Sequence, residues 1–148
     1  MTNKINNTES LLQQISVMSS VLDNIGSYVF SKDLAGKYTY VNANVEALFQ
    51  RPAKYIIGKN DSHFFDLDIL DELLENDRKV INEKVSLTSE ETNVIKSTGK
   101  ILTYKVIKNP IFNDIGEVIG LSGISTDITA QKALETDNQN QKHLLDVV

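Results

Sequence analysis

Apolar residues recur every three or four positions at both ends of the chain, which is the spacing of one face of an amphipathic helix. At the N-terminal end the pattern covers residues 11–25. At the C-terminal end it covers residues 134–148, where Asn138 and Gln141 occupy two of the apolar positions. The sequence therefore predicts a helix at each end, and the polar residues at such positions would weaken a coiled coil while fixing its register.

The middle of the chain contains five β-prone segments in two groups, with helical patterns between them. Residues 27–32 and 37–41 flank a turn at 33–36 and predict a hairpin. Helical patterns then occupy residues 43–50, 52–57 and 67–84, and three further strands are predicted at 86–96, 101–108 and 117–125. Strand groups separated by a block of helices predict an α+β fold, with a five-stranded antiparallel sheet that packs helices on one face. A curved sheet beneath helices leaves room for a small cavity.

Particular residues are expected to mark where these elements begin and end. Asn42 can cap the helix that follows it, and residues 60–62 offer a second cap before His63. Pro110 is expected to end strand pairing because it lacks an amide hydrogen. Gly120 and Gly123, in the last strand, are expected to leave space above the sheet.

The helix predicted at residues 67–84 is acidic in its first half and basic at its end, which complements the helix dipole. The acidic residues are Asp66, Asp68, Asp71, Glu72, Glu75 and Asp77. A site for a hard cation needs convergent oxygen ligands, whereas these residues spread around the helix. We therefore expect a solvated helix face and no metal site.

Composition excludes several classes of function. The chain has 148 residues, of which 41% are hydrophobic and 24% charged, as in an ordinary globular domain. It has no cysteine, so disulfides, thiolate zinc sites, cysteine nucleophiles and covalent flavin–cysteine chemistry are excluded. A net charge of −5 argues against a broad nucleic-acid surface. Neither a secretory signal nor a membrane segment is apparent, so we expect a cytoplasmic protein.

Several short motifs, in this order and spacing, resemble those of the Per-Arnt-Sim (PAS) sensory domain family. They are Leu22-Asp23, Lys32-Asp33-Leu-Ala-Gly36, Tyr40-Val-Asn42, Ile57-Gly-Lys-Asn-Asp61, Lys108-Asn-Pro110, Asn113-Asp-Ile-Gly116, Gly120-Leu-Ser-Gly-Ile124 and Asp127-Ile-Thr129. The resemblance covers residues 21–129. It implies an N-terminal helical extension at 1–20, a PAS domain at 21–129 and a C-terminal signalling helix at 130–148.

The resemblance implies a regulatory sensor from a bacterial signalling protein of the diguanylate cyclase or histidine kinase type, and not an enzyme. A ligand- or partner-dependent change would pass through Asp127 and Thr129, where the last strand becomes a helix, to an output domain in the same chain. The alternative is a ligand-free PAS domain that dimerises and spaces its neighbours. Enzymatic chemistry in the cavity is disfavoured because no paired acid and base is apparent.

Family geometry also implies which residues surround the cavity. The candidates are Tyr28, Phe30, Tyr40, Phe49, Phe64, Tyr104, Leu121 and Ser125. They would either bind an unidentified small molecule or fill an aromatic core that holds no ligand. No cofactor is expected: haem would need an axial histidine, and His63 is better explained as a turn residue. His143, on the C-terminal helix, lacks the sequence context of a phosphoacceptor.

The N-terminal stripe has two interpretations. Leu11, Ile15, Met18 and Leu22 could pack on their own domain or against a second subunit, and we predict a parallel homodimer. The segment 144–148 is similar to 21–25, so a second PAS domain after residue 148 is one hypothesis. Chance likeness of two amphipathic helices is the other, and a kinase or cyclase domain could also follow.

Overall fold

Five strands form one antiparallel sheet in the order β2-β1-β5-β4-β3, which confirms the α+β prediction. The computed structural model describes residues 2–66 and 70–147, so the predicted start of the fourth helix, at residue 67, lies outside the described residues. The elements are α1 (Thr2–Asp23), β1 (Tyr28–Asp33), β2 (Tyr38–Val41), α2 (Ala43–Phe49), α3 (Ala53–Ile56), a 3₁₀ turn (Asp61–His63), α4 (Leu70–Glu83), β3 (Leu87–Val94), β4 (Ile101–Phe112), β5 (Val118–Asp127) and α5 (Thr129–Asp146).

Asn42 connects three elements through its side chain. Its Oδ1 accepts hydrogen bonds from the amides of Val45 in α2, at 3.3 Å, and Val29 in β1, at 3.1 Å. Its Nδ2 donates to the carbonyl oxygens of Leu22 and Ser27, each at 2.8 Å. The predicted helix cap is confirmed, and the same side chain also ties the end of α1 to the sheet.

Strand β4 does not end at Pro110, so that prediction was wrong. Pro110 pairs with Leu121 of β5, and the strand continues to Phe112. The partner strand β3 begins at Leu87, opposite Lys108, so β4 has only β5 as a neighbour beyond that point. A missing amide hydrogen is tolerated where one side of a strand is unpaired.

The space above the glycines of β5 is used by neighbouring groups. A Cβ on Gly123 would lie 2.2 Å from Cζ of the Phe30 ring, and one on Gly120 would lie 2.2 Å from the Lys32 carbonyl oxygen. The missing side chain at Gly123 thus allows the Phe30 ring to lie over the sheet. The expected open space is therefore filled.

The core lies between the sheet and the short helices, whereas the terminal helices are exposed. Tyr38, Phe49, Ile56 and Val106 are among the buried core residues. Neither α1 nor α5 contains a buried residue among those described. None of the described helices has both the length and the apolar character to span a membrane.

Candidate functional site

A small cavity lies among residues of the sheet and the helices beside it. Its volume is about 40 Å³, which is room for a few water molecules. The aromatic lining residues are Tyr28, Phe30, Tyr38, Phe49, Phe65 and Tyr104. The polar and charged lining residues are Lys32, Asp61, Glu91, Asn93, Lys108 and Ser125. The cavity therefore combines aromatic faces with a concentration of charge that was not predicted from the sequence.

Five of the eight predicted cavity residues do line this space. Tyr28 and Phe30 extend from β1, Phe49 ends α2, and Tyr104 and Ser125 come from β4 and β5. The four strand residues follow the alternation of inward and outward side chains along their strands. Whether any of them binds a ligand stays a prediction.

The remaining three, Tyr40, Phe64 and Leu121, lie away from the cavity. A register shift between β1 and β2 pairs Ser31 with Tyr40 but Lys32 with Tyr38, so regular alternation fails in β2. Tyr38 is consequently the cavity residue of β2, with 3% of its surface exposed.

Phe64 is buried but stacks on the Phe49 ring, at 4.4 Å between centroids, and faces a groove at the surface. Leu121 is buried beside Lys32, its partner across the β1–β5 pair.

Five buried charges form a chain of alternating sign beside the cavity. Lys32 Nζ donates to Asp61 and, at 2.8 Å, to Asp77 Oδ2. Lys108 Nζ lies 2.7 Å from Asp77 Oδ1 and donates to Glu91 Oε1 at 2.8 Å. The Asp77 Oδ1 contact is an ion pair only, because that oxygen has no hydrogen-bond partner in the described structure. All five residues are at most 6% exposed, so water screens these contacts little.

Two neutral donors add hydrogen bonds at the ends of this chain. The Tyr38 hydroxyl donates to Asp61, and the Asn76 amide donates to Glu91 at 3.0 Å. Burial, together with Asp61, raises the pKa of Tyr38 well above its ordinary value. Burial alone would lower the pKa of Lys32, but the carboxylates of Asp61 and Asp77 outweigh it and raise that pKa. The tyrosine therefore stays protonated and the lysine stays charged at neutral pH.

Two sequence predictions about these acidic residues were wrong. Asp77 does not belong to a solvated helix face, because it lies on the buried face of α4 between the two lysines. Glu72 and Glu75 of the same helix are exposed, as expected. Asp61 does not cap the turn that it begins, because its carboxylate is engaged by Lys32 and Tyr38.

The Tyr104 hydroxyl is buried without a hydrogen-bond partner in the described structure. Burial, then Tyr28 and Asp127, raise the pKa of this phenol, so it remains a donor. The buried polar side chains of Asn93 and Ser125 also line the cavity. Because leaving a buried polar group unpaired is costly, the Tyr104 hydroxyl is suited to a hydrogen bond from a bound molecule or from ordered water.

The joint between β5 and α5 is held by side chains on both sides. Asp127 Oδ1 accepts from the Thr129 amide at 2.9 Å and from its hydroxyl at 2.6 Å. Thr129 Oγ1 in turn accepts from the Thr103 amide of β4 at 2.9 Å, and the Ile128 amide donates to the Thr103 carbonyl at 2.8 Å. Asp127 thus binds the first residue of α5, and the start of α5 is tied to β4.

The histidines lie outside the cavity. His63 is exposed at the end of the 3₁₀ turn, with Nδ1 at 3.3 Å from the Asn60 carbonyl, as expected of a turn residue. His143 is exposed on α5. In the part of the chain that the structure describes, no group of three or more acidic or histidine ligands could hold a metal ion.

This arrangement of sheet and helices agrees with comparisons with known proteins. The family model described as "PAS fold" matches residues 22–133. The chain belongs to the PAS fold family. The solved PAS domain of a protein from Colwellia psychrerythraea superposes with a TM-score of 0.67 at 20% identity, covering 81% of this chain and 98% of that one.

Two curated relatives of this PAS domain are signalling proteins. A diguanylate cyclase of Vibrio cholerae is 40% identical over 129 residues, which are 85% of this chain and 40% of that protein. The methanogenesis regulatory histidine kinase FilI of Methanothrix harundinacea is 29% identical over 126 residues, or 85% of this chain and 14% of that protein. This chain therefore corresponds to the PAS region of signalling proteins that are considerably longer.

Proposed function

We propose that this PAS domain is a regulatory sensor that binds a small molecule in the cavity and transmits the change through the β5–α5 joint to an output domain. Cyclic-di-GMP synthesis is the first candidate output, since the cyclase relative is the more similar of the two described. Histidine kinase control is the second. The domain itself is proposed to have no catalytic activity.

The observation that carries this proposal is the unpartnered Tyr104 hydroxyl in the cavity. A purely structural domain gains nothing from a buried phenol without a partner, because a phenylalanine would fill the same space without that cost. A ligand group that hydrogen-bonds this hydroxyl would remove the cost. The polar side chains of Asn93 and Ser125, which line the same cavity, support this interpretation.

The route of transmission follows from the strand that carries the ligand contacts. Tyr104 is adjacent to Thr103, whose amide and carbonyl hold Thr129 and Ile128 at the start of α5. Tyr104 also pairs with Asp127 across the β4–β5 ladder. A ligand that moves Tyr104 would therefore displace both groups that fix the direction of α5.

A chimeric cyclase tests the proposal. The region of the Vibrio cholerae cyclase that aligns with this chain is replaced by residues 1–148, and cyclic-di-GMP synthesis is measured in cells. We expect Asp127→Ala to change synthesis, because it removes the contacts that orient Thr129. Asp114→Ala, at an exposed turn, is the matched control and should have no effect. Unchanged synthesis by a folded Asp127→Ala chimera would count against signalling through this joint.

The alternative, a ligand-free dimerisation and spacer domain, rests on α1. Leu11, Ile15 and Met18 are more than half exposed along one face, and Leu22 is partly exposed. The structure therefore does not use this stripe to cover its own domain, and a second copy is the proposed partner. The sensor and spacer hypotheses both accommodate a parallel homodimer, so dimerisation alone does not distinguish them.

Light scattering on two charge-introducing variants of α1 tests the dimer. Met18→Glu places a carboxylate within the stripe and should shift the protein towards monomer. Ser16→Glu places the same charge outside the stripe and should leave the oligomeric state unchanged. A wild-type protein that is monomeric at micromolar concentration would contradict the proposed interface.

A further inference from the structure

The buried charge chain contains more negative than positive groups, and the two signs alternate along its contacts. The sequence of contacts is Asp61, Lys32, Asp77, Lys108 and Glu91, so each lysine lies between two carboxylates. Three carboxylates and two ammonium groups leave one negative charge in excess. An uncompensated charge is costly in a buried environment, so the site favours a further positive charge.

The two ends of this charge chain both line the cavity, whereas its central member, Asp77, does not. At the first end, Asp61 receives the Tyr38 hydroxyl in addition to Lys32. At the other end, Glu91 receives both of its hydrogen bonds on Oε1, from Asn76 and Lys108. Because both bonds fall on Oε1, Oε2 is the oxygen through which Glu91 can accept a further donor.

The surroundings of Glu91 provide the other contacts that a small organic cation needs. Tyr104, with its unpartnered hydroxyl, is directly opposite Glu91 in the β3–β4 ladder. Asn93, two residues further along β3 and facing the same side, contributes an amide. The aromatic lining already accommodates one cation, since Lys32 Nζ lies 5.4 Å from the Phe30 ring centroid and 5.3 Å from that of Tyr38.

Resting on the proposed sensor function, we propose that the cavity selects a small monocationic amine, whose ammonium group binds Glu91 and extends the alternation of charge. The apolar part of the ligand would contact the aromatic rings. A carboxylate ligand is disfavoured because it would add like charge to a buried site that already has an excess of one. The cavity of about 40 Å³ limits the ligand to a few non-hydrogen atoms unless side chains move.

Nuclear magnetic resonance titration of ¹⁵N-labelled protein with four probes tests the charge preference. The probes are ethylammonium chloride, ethanol, sodium acetate and sodium chloride. The first three supply a cationic, a neutral and an anionic molecule of similar small size, and sodium chloride is the control for the counter-ions. We expect saturable shifts of the Glu91, Asn93 and Tyr104 amides with ethylammonium only. For so small a ligand the dissociation constant is expected to be on the order of millimolar.

Two glutamates of β3 provide a matched pair of variants. Glu91→Gln removes the cavity carboxylate with little change in shape, and it should weaken ethylammonium binding roughly tenfold or more. Glu90→Gln removes an exposed carboxylate of the same strand and should leave binding unchanged. If Glu91→Gln does not fold, Tyr104→Phe, which removes only the unpartnered hydroxyl, is expected to weaken binding as well.

The outcomes separate this inference from the proposed function. Equal or tighter binding of ethanol or acetate at the same amides would overturn the cationic preference and leave the ligand sensor intact. The same shifts with sodium chloride would show an inorganic cation instead and would also overturn it. If no probe binds, or if Glu91→Gln binds ethylammonium as wild type does, the inference is wrong, and the sensor proposal is then judged by the cyclase chimera alone.

Discussion

Replacing Lys108 by methionine is the most direct perturbation of the buried charge chain. Lys108 is 1% exposed and contacts Asp77 and Glu91 at 2.7 and 2.8 Å. Methionine occupies a similar volume, so the change removes charge with little effect on packing. It leaves Asp77 with Lys32 as its only ammonium partner and Glu91 with only the neutral Asn76 amide. The excess negative charge in the cluster rises from one to two.

The size of the effect follows from the cost of a stranded buried charge. Removing one partner of a buried ion pair lowers the free energy of unfolding by about 3–5 kcal/mol. This is a large share of the roughly 5–15 kcal/mol that a domain typically has. For a chain of this length, the midpoint of thermal unfolding should fall by roughly 10 °C.

Urea unfolding followed by circular dichroism measures this loss, with Lys105→Met as the control. Lys105 is an exposed lysine of the same strand, so its replacement should change the free energy of unfolding by no more than about 0.5 kcal/mol. The double variant Lys108→Met/Glu91→Gln restores the original excess of one negative charge. Its decrease in the free energy of unfolding should therefore be at least about 1 kcal/mol smaller than the sum of the decreases for the two single variants. Equal losses for the two lysine variants, or strict additivity in the double variant, would refute the reasoning.

Three further predictions concern other features of the domain. Lys32 and Tyr38 both have raised pKa values in the folded state, so their contribution to stability is complete below their unfolded pKa values of about 10. This contribution should be lost as the pH rises from the unfolded pKa values through the higher folded ones. A free energy of unfolding that stays constant from neutral to strongly alkaline pH would contradict this. Asn42→Ala should cost about 2–4 kcal/mol in chemical denaturation, because four hydrogen bonds are lost in a buried site, whereas Asn44→Ala, which loses one, should cost about 1 kcal/mol or less. Gly123→Ala should lower the melting temperature and shift the aromatic resonances of Phe30, whose ring lies over this position, and unchanged spectra would contradict that placement of the ring.

The fold could be predicted from the sequence because its signals are local. Alternating apolar positions, the Asp33–Gly36 turn and the Asn42 cap each act over a few residues, and each formed as expected. The register shift near Ser31 is different, since it depends on how two strands meet. Regular alternation therefore placed Tyr40 in the cavity, where the structure has Tyr38.

The charge chain was missed because its members are far apart in sequence. Lys32 is 29 residues from Asp61 and 45 from Asp77, and no local pattern connects them. One signal was nevertheless present: Asp77 follows Leu73 by four positions and precedes Val80 by three, so it shares the buried face of α4. Lys32 and Lys108 likewise continue the inward alternation of their strands, after Phe30 and Val106.

The charge chain also restricts how this domain can change over evolution. Its five members lie on β1, the 3₁₀ turn, α4, β3 and β4, and each lysine neutralises carboxylates from two different elements. Replacing either lysine by an uncharged residue would leave a buried carboxylate, distant in the sequence, without its ammonium partner. Sequence drift is therefore expected to proceed through paired replacements, in which a lysine and a neighbouring carboxylate are lost together.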